Sequence, residues 1–403
     1  MKRRNLLAVI TLLLICLAFQ NCSKSDTSPD LKTVNVAALL SLTGNWSSLG
    51  ITSKAALEIG VKDVNDYMEE IGSKYRFTTT IYDTKLDTAL AKQFMLEVKN
   101  NGTGFVIGPQ SSAEVGAIKQ FADENNILVV SQGSTAGSLS IPNDNVFRFC
   151  PDDKIEGAAM ANTIYNEGIK GLVTLSRDDA GNKGLQSSVG TAFTNLGGTI
   201  ELIAPYATTT SDFTAVVSNI KNKIQSFSAL YGTAATAVYL ASFDECVQLF
   251  KQASTDPVLS SVKWYGADGV VLSAALISDA IAAGFAANTR FFAPTFGLPT
   301  HGESKWQPIA AAIKGITNIE PDAFALASYD ALWVIALTYN ASGTGAGFDK
   351  LKTFFPRQAN IFYGVTGPTL LNGSGDRAIG SFDYWGIALE NQTYGWKLVG
   401  KSE

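Results

Sequence analysis

Short hydrophobic runs and amphipathic stretches alternate along the chain from Val34 to Pro294. The apolar runs predict buried strands, and apolar residues three or four apart, such as Leu57, Val61 and Val64, predict helices. The predicted strands are 34–40, 77–83, 105–108, 127–131, 146–149, 171–176, 199–204, 236–242, 262–266 and 290–294. Later segments predict helices at 321–340 and about 347–355 and a hairpin at 382–389 and 394–400. Two successive runs of strand–helix units predict an α/β fold with two doubly wound parallel-sheet lobes.

Loops that follow the predicted strands are the candidate site, because ligands of doubly wound sheets bind beyond the carboxyl ends of the strands. Trp46 lies in such a loop, either as a wall of the site or as an anchor packed on its own lobe. Ser112 lies in the first turn of a helix that begins with the S-x-x-E capping box of Ser111 and Glu114. Free N–H groups in that turn suit a carboxylate, although capping alone would also explain these serines.

Two further strand-end loops carry polar side chains. Ser134 and Thr135 lie in the loop 131–140, which by itself is only a polar turn rich in small residues. Asp268 follows an apolar strand and precedes Gly269. Its carboxylate would pair with the ammonium group of a ligand, or the Asp-Gly dipeptide simply forms a turn.

The N-terminus has the pattern of an export signal. A basic start at 2–4 precedes an apolar stretch at 6–19, which is too short to span a membrane. We therefore expect a signal peptide at 1–21. The segment FQNC resembles a bacterial lipobox, which implies lipidation of Cys22 and a polar tether at 22–33. The alternative is ordinary signal cleavage, with Cys22 removed or left free.

Composition and motifs exclude several classes of function. The 403 residues are 46% hydrophobic, carry a net charge of -5 and show no Lys/Arg-rich run after the N-terminus, which argues against nucleic-acid binding. His301 is the single histidine, and HExxH and CxxC motifs are absent, so we expect no enzyme, no metal site and no cofactor. Cys150 and Cys246 are the two cysteines of the predicted mature domain. They could form a disulfide outside the cytoplasm, but we expect buried free thiols.

Taken together, these loops resemble the leucine/isoleucine/valine-binding protein family, the type I periplasmic binding proteins of branched-chain amino-acid ABC transporters. The resemblance covers about residues 34–400. The motifs that carry it are, in order, LLSLTGNWSSLG (39–50), YDTKLD (82–87), VIGPQSS (106–112), NNILVVSQGST (125–135), YGADG (265–269) and ALASYDALWVIALTY (325–339).

This resemblance implies two lobes joined by a multi-strand hinge, with the ligand in the cleft between them. Lobe 1 would comprise 34–149 plus about 294–355, and lobe 2 would comprise 150–293 plus about 356–403. The implied site residues are Ser112 for a ligand carboxylate, Thr135 with Ser134 for the carboxylate and α-amino groups, Asp268 for the α-ammonium, Ser242 or Phe243 in the second lobe's pocket loop, and Trp46 for side-chain selectivity.

The sequence departs from the family pattern at two points. Ala180 stands where the family usually has an aromatic before the first glycine of its second-lobe loop, and the early disulfide is absent. The first departure leaves the identity of the ligand open.

The function that the resemblance implies is capture of a small amino-acid-like ligand for an ABC permease. The protein would work outside the cytoplasm in the cell envelope, and it would meet the membrane only through its lipid anchor. Two alternatives are a ligand-sensing receptor module and a binding protein for urea or short amides.

Overall fold

Two separate β-sheets, each covered by helices, organise the chain. The computed structural model describes residues 31–402, so the predicted signal peptide and the predicted lipidation site at Cys22 lie outside the described residues. The first sheet contains β1 (Lys32–Leu40), β2 (Tyr75–Asp83), β3 (Phe105–Ile107), β4 (Leu128–Ser131) and β5 (Val146–Arg148). The second contains β6 (Gly171–Ser176), β7 (Thr199–Leu202), β8 (Thr236–Ala241), β9 (Lys263–Gly266), β10 (Phe292–Phe296), β13 (Phe382–Glu390) and β14 (Thr393–Lys401). A two-stranded ribbon pairs β11 (Tyr363–Gly364) with β12 (Gly367–Pro368).

Both sheets use the same strand order. The first runs β2-β1-β3-β4-β5, and the second begins β7-β6-β8-β9-β10. Strands β1, β3, β4 and β5 pair in parallel, as do β7, β6, β8, β9 and β10. The predicted C-terminal hairpin is present, and β13 joins β10 in antiparallel register to extend the second sheet. The predicted α/β fold with two parallel-sheet lobes is therefore confirmed.

Twelve α-helices connect and cover the strands within residues 31–402. They are α1 (Ser47–Glu70), α2 (Thr88–Asn100), α3 (Ser112–Glu124), α4 (Asp153–Asn166), α5 (Ala180–Asn195), α6 (Thr214–Tyr231), α7 (Cys246–Ala253), α8 (Ala274–Ser278), α9 (Ala280–Asn288), α10 (Glu303–Thr317), α11 (Ala323–Ser342) and α12 (Phe348–Ile361). Helices α1, α10, α11 and α12 pack together on one face of the first sheet, and α2 and α3 pack on the other. We call the first sheet with these six helices lobe 1, and the second sheet with α4–α9 lobe 2.

The alternation of side chains along each strand explains why both faces are covered. In β1, Val36 and Ala38 join the core under α1 and α11, whereas Ala37 and Leu39 face α2 and α3. All four side chains are buried. A strand that is apolar on both faces needs helices on both faces, which is the arrangement of a parallel sheet.

Three chain segments cross between the lobes, after β5, after β10 and before β13. Arg148 at the end of β5 forms a bidentate ion pair with Asp376, with distances of 2.5 and 2.8 Å, and both side chains are 1% exposed. Nearby, the N–H of Gly297 donates to the carbonyl of Ser381 over 2.6 Å. These contacts tie the three crossing segments together into one hinge.

Candidate functional site

The candidate site lies where the carboxyl ends of both sheets face each other. A strand order of this kind has a switch point between β1 and β3 in lobe 1 and between β6 and β8 in lobe 2, where neighbouring connections run to opposite faces. A small cavity of about 10 Å³ lies at these ends. It is lined by Trp46, Ser112, Gly133, Thr135, Gly181, Asn182, Leu185, Phe243 and Asp268. We call this space the cleft cavity.

Trp46 and Phe243 form the apolar wall of the cleft cavity. Trp46 precedes α1 with a left-handed backbone (φ 59°), which is uncommon for an aromatic residue. Its backbone N–H donates to the carboxylate of Asp244 over 2.7 Å, and its ring stacks on Phe243 with a centroid distance of 4.7 Å. Gln110 also donates to the carbonyl of Trp46. Trp46 is therefore anchored to its own lobe and also contacts the other lobe.

Ser112 begins α3, and the capping box of Ser111 and Glu114 is formed as the sequence predicts. The Ser112 hydroxyl lies 3.0 Å from that of Ser134 and accepts the N–H of Ala136 over 3.1 Å. Ser134 is fully buried and is not in the cavity lining, so it supports Ser112 from behind. Ser112 thus brings the N-terminal end of α3 to the cavity lining, and helix N-termini favour anions.

Thr135 and Asp268 line the cavity from opposite lobes, and each is 4% exposed. The Thr135 hydroxyl contacts Asp153 at the start of α4. Asp268 begins a short 3₁₀ turn at Asp268–Val270, so the predicted Asp-Gly turn exists. The Oδ2 atom of Asp268 is buried and has no hydrogen-bond partner among residues 31–402.

The structure brings together five of the seven predicted site residues at the cavity surface. These are Trp46, Ser112, Thr135, Phe243 and Asp268, whereas Ser134 and Ser242 are fully buried and lie outside the lining. Of the two candidates in the lobe 2 loop, Ser242 and Phe243, the residue that lines the cavity is Phe243.

Four lining residues were not singled out from the sequence. Asn182 and Leu185 lie in the first turns of α5, directly after β6, so the strand-end rule that identified the other loops could have found them. Gly181 lies close to Ser112 of the other lobe. A Cβ atom added at Gly181 would lie 3.4 Å from the Ser112 hydroxyl. A Cβ on Gly133 would meet the Gln110 carbonyl at 2.9 Å, so the loop can approach Trp46 only with glycine there.

A polar network closes the mouth of the cleft beside Phe243. Glu245 accepts hydrogen bonds from Arg177 and from the Tyr206 hydroxyl in lobe 2, and from the Asn45 amide of lobe 1. The Arg177 guanidinium also lies 5.2 Å from the centre of the Phe243 ring. These contacts, with the Trp46–Phe243 stack, hold the two lobes against each other.

Buried acids give the site its electrostatic character. Burial raises the pKa of Asp153 to about 7, although contacts with Thr135 and the Gly137 N–H lower it. Burial also raises the pKa of Asp268 well above its ordinary range, and the nearby Asp153 charge adds to this rise. Because burial disfavours the charged form of these acids, a cationic ligand that pairs with them would stabilise that form.

The other candidate features in the described part of the chain are a metal cluster, His301, the two cysteines and a membrane-spanning helix. No group of three or more His, Cys, Asp or Glu side chains within residues 31–402 has the arrangement of a metal site. His301 is exposed on a 3₁₀ turn at Thr300–Gly302 and is not in the cavity lining. Cys150 and Cys246 are both free and buried, as predicted. No helix in the described range has the length and apolar character needed to cross a bilayer.

A larger depression of about 670 Å³ lies at the opposite ends of the lobe 2 strands, beside Thr233, Lys263 and Arg290. It is an open surface at the amino ends of parallel strands, where sites of doubly wound sheets do not form. The cleft cavity is therefore the candidate site despite its smaller volume.

Comparisons with known proteins agree with this fold. The family model described as the receptor family ligand-binding region matches residues 52–389. An uncharacterized protein of Methanocaldococcus jannaschii is 28% identical over 402 residues, covering 96% of this chain and 93% of the relative. Leu/Ile/Val-binding protein homolog 1 of Brucella abortus is 23% identical over 341 residues, covering 83% and 85% of the two chains.

A solved structure shows the same fold. It is the branched-chain amino-acid transporter substrate-binding protein LivJ of Streptococcus pneumoniae in complex with isoleucine. The two structures superpose with a TM-score of 0.72 at 20% identity, and the match covers 91% of this chain and 99% of that chain.

Proposed function

The chain belongs to the receptor family ligand-binding region, the type I periplasmic binding fold, and from that premise we propose that it captures a small amino-acid-like solute between its lobes for an ABC permease. The observation that carries the proposal is the cleft cavity, in which a helix N-terminus of lobe 1 faces an unpaired carboxylate of lobe 2. These two groups are complementary to the carboxylate and ammonium ends of one zwitterion.

Each part of the ligand has a partner in this proposal. The Ser112 hydroxyl and the first-turn N–H groups of α3 receive the carboxylate, since helix N-termini favour anions. Thr135 contacts the carboxylate and α-amino groups, and Asp268 pairs with the ammonium. The ligand side chain lies against Trp46 and Phe243.

With the lobes in contact, the cleft cavity encloses only about 10 Å³, whereas small-molecule pockets usually enclose about 300–1,000 Å³. A ligand can therefore enter the cleft only when the lobes open. The aromatic that the family usually has near position 180 is absent here. We propose that Trp46 stacked on Phe243 provides the apolar wall in its place.

Capture requires the lobes to open and close about the three-segment hinge. In this proposal, lobe 1 (34–149 plus about 294–355) binds the ligand first, and lobe 2 (150–293 plus about 356–403) closes over it. Closure excludes water from the ion pair and creates the surface that a permease reads. The export signal at 1–21 and the lipid on Cys22 would keep the protein outside the cytoplasm at a membrane surface.

Replacement of Asp268 tests the proposal. Asp268→Asn keeps the size of the side chain and removes the charge, so we expect affinity for an amino acid to fall by 100-fold or more, since breaking a buried charge pair costs about 3–5 kcal/mol. The measurement is calorimetry with the tightest binder from a thermal-shift screen of amino acids, urea and short amides.

The matched control is Asp178→Asn, an exposed aspartate of the same lobe. It should bind like the wild type. Equal affinity of wild type and Asp268→Asn for a zwitterion would contradict the amino-acid assignment. A screen in which only urea or short amides bind would contradict it as well, and would favour the neutral-ligand alternative.

A further inference from the structure

A second carboxyl group lies directly behind Asp268. Glu156, in the first turn of α4, is 1% exposed, and its carboxyl group lies beside that of Asp268, which is 4% exposed. Two buried carboxyl groups this close cannot both be ionised without a cation beside them. In the absence of a cationic ligand, the pair is therefore expected to hold a proton.

No cationic side chain of the described chain pairs with these acids. Asp153, Glu156 and Asp268 are absent from the ion pairs formed within residues 31–402. Arg148, whose charge reaches Asp153, is engaged by Asp376.

Several polar atoms around the pair also lack a hydrogen-bond partner in this part of the chain. They are one carboxylate oxygen each of Asp153, Glu156 and Asp268, and the Tyr239 hydroxyl. All four side chains are at least nine-tenths buried, and Asp268 lines the cleft cavity. Buried polar atoms without partners are costly, so this arrangement points to a ligand that supplies positive charge and hydrogen-bond donors.

The surroundings of the pair favour its protonated form. Burial is the main cause that raises the pKa of Glu156, and the charges of Asp268 and Asp153 raise it further. The titratable groups nearest the pair are Asp153, Asp322, Tyr239, Cys150 and Tyr384, and none of these is a cation. The Arg148 guanidinium lies near Asp153, but Asp376 already neutralises it.

We propose that Glu156 is a positioning residue of the ligand site, which shares a proton with Asp268 in the empty cleft, and that the ammonium group of an incoming ligand displaces this proton into solvent. The inference rests on the proposed function. In the displacement, one carboxyl O–H bond breaks and its proton passes to water, while the ligand N–H donates to the carboxylate that remains. One positive charge replaces another, so the buried pair never carries two uncompensated negative charges.

The exchange also selects a class of ligand. An ammonium group can replace the proton, whereas a neutral amide such as urea carries no charge that would do so. A neutral ligand would therefore leave the proton in place. Capture of a cationic amine centre, and not of a neutral amide, would be accompanied by proton release.

Calorimetry in buffers of different ionisation enthalpy measures this proton. Titrations of the wild type with L-leucine, L-isoleucine and glycine at pH 7, in phosphate, imidazole and Tris, should give a slope of about one released proton per bound ligand. Affinity should rise with pH between 6 and 7, by up to tenfold per pH unit. Binding with a zero slope would overturn the inference and leave the proposed function intact, whereas absence of binding by every amino acid would overturn the proposed function itself.

A conservative variant separates proton exchange from packing. Glu156→Gln retains the shape and a donor for Asp268 but has no acidic proton, so it should bind with a slope near zero and a flat pH profile. A purely structural Glu156 would instead weaken binding equally at every pH and keep the wild-type slope, which would overturn the proposal. The control Asp178→Asn should keep the slope near one, and the wild-type slope decides the matter by itself if the Gln variant does not fold.

Discussion

At the scale of single residues, the site depends on side chains whose burial comes from tertiary structure. Asp153 and Glu156 lie in the segment DDKIEG, where two adjacent acids and a later one look like the solvated start of a helix. In the folded protein both are buried behind Asp268. Acidic residues in the first turn of a helix are usually solvated, and the sequence pattern does not show which of them is buried, so the sequence predicted Asp268 and missed Glu156.

The two aromatic walls show the opposite case. The sequence placed Trp46 and Phe243 in separate strand-end loops, and the structure stacks them across the cleft. Loop position follows from the alternation of strands and helices, but the pairing of two rings 197 positions apart depends on how the lobes meet. The sequence therefore predicted the loop in which each aromatic residue lies, but not the contact between the two rings.

Asp322 gives a residue-scale prediction on stability. It caps α11 by accepting the Ala325 N–H over 2.8 Å, and burial raises its pKa from 3.8 to about 7. Because the native state binds more protons than the unfolded state between these values, the free energy of unfolding should fall as the pH rises from about 4 to about 7. Asp322→Asn preserves the cap and removes the titrating carboxyl group. Between pH 5 and pH 8, the free energy of unfolding from thermal unfolding should therefore fall less in this variant than in the wild type, with a difference of at most about 4 kcal/mol.

A matched control is Asp87→Asn, which replaces the exposed N-cap aspartate of α2. It should leave the pH dependence of unfolding as it is in the wild type. A wild-type protein that becomes more stable between pH 5 and pH 8, or an Asp322→Asn variant with the same slope as the wild type, would contradict this assignment.

At the scale of elements, the hydrophobic pattern predicted the strands because continuous apolar runs leave few alternatives in an α/β chain. The start of α5 shows the limit. Its first buried apolar residue is Leu185, but Asp179 caps the N–H of Asn182 over 2.9 Å and the helix begins at Ala180. The capping side chain, rather than the apolar pattern, decides where this helix begins.

The hinge gives an element-scale prediction. The Arg148 guanidinium donates to Asp376 and to the carbonyls of Ser134 and Ala136, so one side chain joins the hinge to the loop that carries Thr135. Asp376→Asn would leave a buried cation without its counter-charge. We expect the free energy of unfolding to fall by about 3–5 kcal/mol in denaturant titration.

A surface pair serves as the control for this hinge variant. Glu201→Gln breaks the partly exposed contact with Lys223 and should cost less than about 1 kcal/mol. If Asp376→Asn were no more destabilising than Glu201→Gln, the ion pair would not be a structural element of the hinge.

At the scale of the whole molecule, two lobes with the same strand order present their carboxyl ends to each other. The contact across the cleft is direct, since the Ala274 N–H of lobe 2 donates to the Ser48 hydroxyl over 3.0 Å, and the Trp46 N–H donates to Asp244. The sequence predicted both lobes and most of the cavity-lining loops. The closed arrangement follows from three-dimensional contacts between distant segments, which periodicity does not encode.

The most direct measurement is a crystal structure of the protein grown with its tightest-binding amino acid. We expect the ligand in the cleft cavity, with its carboxylate within hydrogen-bond distance of the Ser112 hydroxyl and the first turn of α3, and its ammonium group on Asp268. A ligand bound elsewhere on the protein, or one in the cleft with its ammonium group directed away from Asp268, would contradict the account.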